Sequence, residues 1–167
     1  MPAVRRRSFP VRRSSARRRV QWATSTSNNV AIPAAPVGTV FDLLENFTLT
    51  SGSATMGTTV MRTILTIRWE PTNLADFLEF GVVVSTADAE FDDVNPNERG
   101  ALNWALLAKS YPMASGTTPD AARIEHFDLR GKRKLGGFDQ RYVLSVFNSG
   151  GTPRNFSHFS RTLLALP

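Results

Sequence analysis

Beyond residue 39 the chain reads as short runs in which apolar and polar side chains alternate, separated by clusters of Gly, Pro, Ser, Asn and Asp. In 39–49 (TVFDLLENFTL), Phe41, Leu43, Phe47 and Leu49 fall on one face at period two, interrupted by Glu45, as in a half-buried strand. Residues 58–69 (TTVMRTILTIRW) form the strongest strand pattern. They are β-branched and long, with Met61, Leu65, Ile67 and Trp69 on one face and Arg62, Thr66 and Arg68 on the other. Residues 77–86 (FLEFGVVVST) read as a buried strand, 141–148 (RYVLSVFN) as a clear one, and 156–166 as a final one. Residues 122–129 alternate more weakly. The stretch 101–111 (ALNWALLAKSY) suits a short helix or a strand, and 113–121 reads as a loop. Seven or eight strands with turn signals between them, and no long helical pattern, predict an all-β antiparallel sandwich or barrel.

The first nineteen residues break this texture. MPAVRRRSFPVRRSSARRR holds eight arginines (Arg5, Arg6, Arg7, Arg12, Arg13, Arg17, Arg18 and Arg19) and no acid. Its sizeable apolar side chains are Val4, Phe9 and Val11, too few to offset the entropy of ordering, so a disordered arm is expected. Adjacent arginine pairs and triplets would point all round a helix, unlike the one-sided face of a mitochondrial transit peptide. A nuclear localisation signal is compatible with the pattern. Guanidinium groups grip phosphate in bidentate fashion and stack on bases, so the arm predicts a nucleic-acid partner. Residues 20–38, polar and then rich in Pro and Ala, read as a linker or an extended crossing segment, with Trp22 and Ile32 as docking points.

Charge sharpens that division. The chain of 167 residues carries a formal +6, yet eight of its twenty Lys and Arg lie in the arm, while all fourteen acids lie at or beyond Asp42. A strongly cationic arm therefore precedes a nearly neutral body. A second basic cluster, Arg130, Lys132, Arg133 and Lys134, falls in 131–137 and just before it, a segment that reads as a glycine-flanked turn with Arg123 and Arg141 outside it. Such a turn either contacts phosphate alongside the arm or is solvated.

Little points to an enzyme. No Cys is present for a nucleophile, a disulfide or a thiolate metal site, and no G-x-S-x-G elbow or phosphate-binding glycine loop occurs. His126 and His158 lie in predicted strands, where a lone His is usually structural. Asp88, Glu90, Asp92 and Asp93 crowd one loop, but their spacing departs from the EF-hand pattern and suits a solvated acidic loop. No catalytic, metal or cofactor site is expected, and no apolar run is long enough to cross a membrane as a helix.

An Arg-rich arm, a linker and an all-β domain follow the layout of small viral capsid proteins. The stretch VMRTILTIRW (60–69) and the segment DLRGKRKLGGFDQRYVLSVF (128–147) resemble the jelly-roll capsid protein of a small single-stranded DNA virus of the circovirus and nanovirus kind. The resemblance implies an eight-stranded antiparallel jelly-roll sandwich over 39–167, assembling with copies of itself into an icosahedral shell. The arm would lie inside on single-stranded nucleic acid, DNA ahead of RNA. It also implies a place in the virion, and in the host nucleus during assembly. The alternative is a cellular β-barrel that binds single strands without reading sequence, with aromatics and basic residues sharing one exposed face.

Overall fold

The computed structural model describes residues 19–47, 57–85, 104–136 and 140–167. Ten strands follow in order: β1 (Val20–Ile32), β2 (Gly38–Asp42), β3 (Thr59–Trp69), β4 (Leu78–Ser85), β5 (Trp104–Ser110), β6 (Ala114–Ser115), β7 (Thr118–Pro119), β8 (Arg123–Lys134), β9 (Arg141–Asn148) and β10 (Arg154–Ala165). No helix occurs among the described residues. The long strands form two four-stranded antiparallel sheets, β1-β10-β3-β8 and β2-β9-β4-β5, and β6 and β7 make a separate two-stranded hairpin.

The pairing is nested. β1 pairs with β10, β2 with β9, β3 with β8 and β4 with β5. Only β4 and β5 are consecutive strands within one four-stranded sheet; the chain otherwise passes from one of these sheets to the other. This is a two-stranded ribbon rolled on itself, the jelly roll. One consequence is that the start of β1 lies beside the end of β10, with Val20 opposite Ala165.

The core lies between the sheets. Leu65, Ile67 and Trp69 of β3 and Phe156 and Leu164 of β10 meet Phe80 and Val82 of β4 and Leu144 and Val146 of β9, all buried. Fully burying such a side chain contributes roughly 1.5–3 kcal/mol. Several polar atoms in this layer are bonded, although the buried Ser160 Oγ of β10 has no hydrogen-bond partner among the described residues. Thr63 Oγ1 donates to Tyr142 Oη at 3.0 Å, Trp69 Nε1 donates to Ser110 Oγ at 2.9 Å, and Ser110 Oγ in turn donates to Glu125 at 3.0 Å. Gly81 faces away from the core under Trp104. A Cβ there would come within 2.5 Å of the indole, so the ring can cover the sheet only over a glycine.

Several expectations need correction. Residues 20–32, expected as part of a linker, form the thirteen-residue strand β1. Its buried positions are Ala23, Ser25 and, at its end, Ile32, and two small residues followed by a polar stretch show no hydrophobic alternation. The strand expected over 39–49 ends at Asp42. Its carboxylate then accepts the Leu44 amide at 2.8 Å and starts a turn, so Leu43 and Leu44 enter the core from there. Met61 does not share the buried face of β3. A bulge between Val60 and Arg62 shifts the phase, placing Val60 and Thr63 inside. The ambiguous 101–111 stretch is strand β5 where described, and the loop expected over 113–121 contains the β6–β7 hairpin. The basic segment 131–134 is not a turn but the end of β8. The acidic loop with Asp88, Glu90, Asp92 and Asp93 lies outside the described residues.

Candidate nucleic-acid interface

Of the eight arm arginines, Arg19 alone falls among the described residues, and it is exposed. Its carbonyl accepts the Leu166 amide at 2.8 Å, so the chain meets the body at a fixed point beside the end of β10. From there a row of paired residues crosses the sheet: Val20 with Ala165, Ala165 with Thr59, and Thr59 with Lys134. Three interstrand steps separate the foot of the arm from Lys134, roughly 14 Å. The nested pairing thus brings Arg19 and Lys134, more than a hundred residues apart in sequence, to one end of one sheet.

The end of β8 owes its shape to a bulge. Val60 pairs with Arg133 and Arg62 with Arg130, so Gly131 and Lys132 together oppose Met61. Gly131 takes φ of +146°, which an L side chain rarely adopts, and this is why the basic run contains a glycine. Lys132 and Lys134 are exposed, and no described carboxylate lies within ion-pair distance of either. Arg133 differs. It is half-buried, and its Nη2 donates to the Trp104 carbonyl at 3.3 Å, tying β8 to β5. Arg123 lies at the far end of β8, where it pairs with Glu125.

Arg130 faces outward, next to Arg62. The Arg62 fork holds Asp128 through Nε at 2.7 Å and Nη2 at 2.9 Å, and Arg130 Nη2 reaches the same carboxylate at 2.9 Å. Hydrogen bonds from Arg62 and then Arg130 lower the Asp128 pKa to about 2. The carboxylate is therefore ionised at any working pH, and two guanidiniums share one negative charge. One positive charge is left over. Arg62 and Arg68 share the outer side of β3 with Ile64 and Thr66 between them: Arg62 stands beside Arg130 of the basic cluster, whereas Arg68 lies at the far end, paired with Glu70 at 2.6 Å. Arg161, on the adjacent outer side of β10, drew no notice in the sequence because nothing local in FSRTLL marks it.

A cavity of about 310 Å³ opens at the foot of the arm, lined by Gly57, Thr59, Lys134, Ala165, Leu166 and Pro167. Among the described residues no three His, Cys, Asp or Glu side chains cluster as metal ligands, and no helix is long and apolar enough to cross a membrane. His158 is buried between Ser25 and Ser27, with Nε2 3.2 Å and Nδ1 2.7 Å from their hydroxyls and the Phe41 ring 4.9 Å away. Desolvation lowers its pKa to about 4, so it is a neutral core residue. His126 sits on the surface against Thr66.

No protein-family model matches the chain, and no curated protein matches it. Among solved structures, one of infectious bursal disease virus (Gt strain) aligns over 99% of this chain at 14% identity and a TM-score of 0.44. The chain spans 38% of that protein's length. The Tobacco streak virus coat protein dimer aligns over 89% of this chain and 85% of its own, at 12% identity and a TM-score of 0.41. Eiger TNF from S. frugiperda aligns over 87% and 93%, at 12% identity and a TM-score of 0.40. The fold assignment rests on the strand order and not on these likenesses.

Proposed function

We propose that this chain is a viral capsid protein that self-assembles into a small icosahedral shell and packages a single-stranded nucleic acid through its arginine arm. The observation that carries this reading is the row from Val20 to Lys134. It sets the foot of an eight-arginine arm and the exposed Lys132 and Lys134 at one end of the same sheet. Phosphate contacts of this kind bind without reading sequence. The nearly neutral body lets copies pack without mutual repulsion. The resemblance of 60–69 and 128–147 to circovirus and nanovirus capsid segments favours DNA over RNA, the virion as location, and the host nucleus during assembly.

The cellular single-strand-binding reading is the second, favoured by aromatic and basic residues sharing one outer face, as described below. A salt titration of the unassembled chain on two unrelated single-stranded oligonucleotides tests what both have in common. Eight engaged arginines give log affinity against log salt a slope of about −5 to −6, with little difference between sequences. A slope near −2 with strong preference for one oligonucleotide contradicts the packaging arm.

A further inference from the structure

The two sheets present opposite outer surfaces. On β2-β9-β4-β5 one outward row reads Val40, Ser145, Gly81, Leu107, and Trp104 lies over Gly81 beside Val83 and Val143. That surface is apolar, and Lys109 on it faces Glu79 at 4.0 Å. On β1-β10-β3-β8 the outward rows read Trp22, Leu163, Arg62, Arg130; then Thr24, Arg161, Ile64, Asp128; then Thr26, Phe159, Thr66, His126.

Two aromatic rings stand exposed there, Trp22 at 38% and Phe159 at 46%. Arg161 lies between them. Its guanidinium sits 4.9 Å over the Trp22 ring, and no described carboxylate pairs with it. Register places the rings four residues along and one strand across, roughly 14 Å apart. An antiparallel sheet with exposed rings at such a spacing is a stacking platform for unpaired bases, whose π-faces are open only in single strands. Around the rings lie Arg161, the surplus charge of the Arg62–Asp128–Arg130 cluster, and Lys134. These are placed to meet the phosphates joining stacked bases. The first row begins three residues from Arg19, so a strand held by the arm is delivered to this face.

We propose that the outer face of the β1-β10-β3-β8 sheet is a second binding site for single-stranded nucleic acid, with Trp22 and Phe159 stacking bases and Arg161 and Arg62 contacting the backbone. It rests on the nucleic-acid reading above, to which it adds a site on the body. Direct stacking explains why Trp22 is a bulky aromatic on an edge strand whose inward neighbours are Ala23 and Ser25.

The test uses the full chain, unassembled, with an oligothymidine of about twenty nucleotides at roughly 0.3 M salt, where the arm's contribution is weakened. Binding is followed by affinity and by quenching of tryptophan emission. Trp22→Leu with Phe159→Leu is expected to lower affinity at least fivefold per ring and to remove the Trp22 part of the quenching, without altering the salt slope. Trp22→Phe is expected to restore most of the affinity, which separates stacking from misfolding. Arg161→Gln is expected to make the slope shallower by about 0.7. An arm variant with Arg5, Arg6, Arg7 and Arg12 changed to Ala should instead flatten the slope and keep the quenching, so failure of the arm and failure of the sheet give different results. Unchanged affinity and quenching in Trp22→Leu/Phe159→Leu, or equal losses in Trp22→Phe and Trp22→Leu, overturn the proposal.

Discussion

The Arg19 carbonyl accepts the Leu166 amide at 2.8 Å, so the last residue of the arginine run is fastened to the end of β10. The cationic side chains of the sheet lie across it from that bond. β10 carries Arg161, its other neighbour β3 carries Arg62, and β8 beyond carries Arg130, Lys132 and Lys134.

The bond also sets where the chain can be cut. Removal of residues 1–18 should leave the melting temperature unchanged and abolish most nucleic-acid binding. Removal of 1–38 should yield insoluble or unfolded protein, because β1 supplies Ala23 and Ile32 to the core and covers one edge of β10. Thermal denaturation of the two truncations checks this. Equal stability would mean that β1 is dispensable.

Lys132 and Lys134 should act apart from Arg133. Changing both lysines to Ala should make the salt slope shallower by about 1.4 and leave stability unchanged. Changing Arg133 should lower stability, because the Trp104 carbonyl loses its donor. Affinity titrations with parallel melting curves separate the two effects. A stable Arg133→Ala protein with the same slope change as the lysine variant would contradict the assignment.

How much of this was legible in the sequence differs by element. β3, β4 and β9 were, because their inward positions are large and apolar against small or polar outward ones. β1 was not, since Ala23 and Ser25 are small and Ile32 is its one large buried side chain. The extension of β8 was hidden because Gly131 and the adjacent charges look like a turn, although φ of +146° there serves a bulge. The arm's charge was plain. The placing of Arg19 at the same end of the sheet as Lys134 was not, since that depends on β1 and β8 flanking the same β10–β3 pair. Trp22 reads in the sequence as a docking point, and Arg161 gains its place beside it only through the β1–β10 pairing.

Stability should depend on pH through His158. Its folded pKa of about 4 lies below the usual 6.5, because burial disfavours the charged ring. The unfolded chain therefore binds the extra proton between those values. The stabilisation is complete above about pH 6.5 and falls away as pH drops towards 4, by roughly 3 kcal/mol in all. Denaturant melts of the wild type and His158→Gln across pH 4 to 7 check this, with a flatter profile expected for the variant. Parallel profiles would assign the acid sensitivity elsewhere.

At the opposite end of the sandwich the Arg154 guanidinium, 3% exposed, is bonded to the Asp76 carboxylate and to the Thr152 carbonyl at 3.0 Å. Asp76→Asn should strand a buried charge and cost about 3–5 kcal/mol. The double change Asp76→Leu with Arg154→Leu should recover much of that loss. Urea unfolding of the three proteins decides it, and a single variant as stable as the wild type would count against the pair.

On the proposed function, copies of this chain close around nucleic acid. Electron microscopy of the full chain purified from cells, with the 260/280 nm absorbance ratio and a nuclease-protection assay on the same fractions, tests it most directly. The account predicts uniform closed spheres holding nuclease-resistant single-stranded nucleic acid, and empty or absent spheres when the arm arginines are replaced by Ala. Monodisperse monomers that bind oligonucleotides but never form shells would contradict it and leave the cellular single-strand-binding reading in its place.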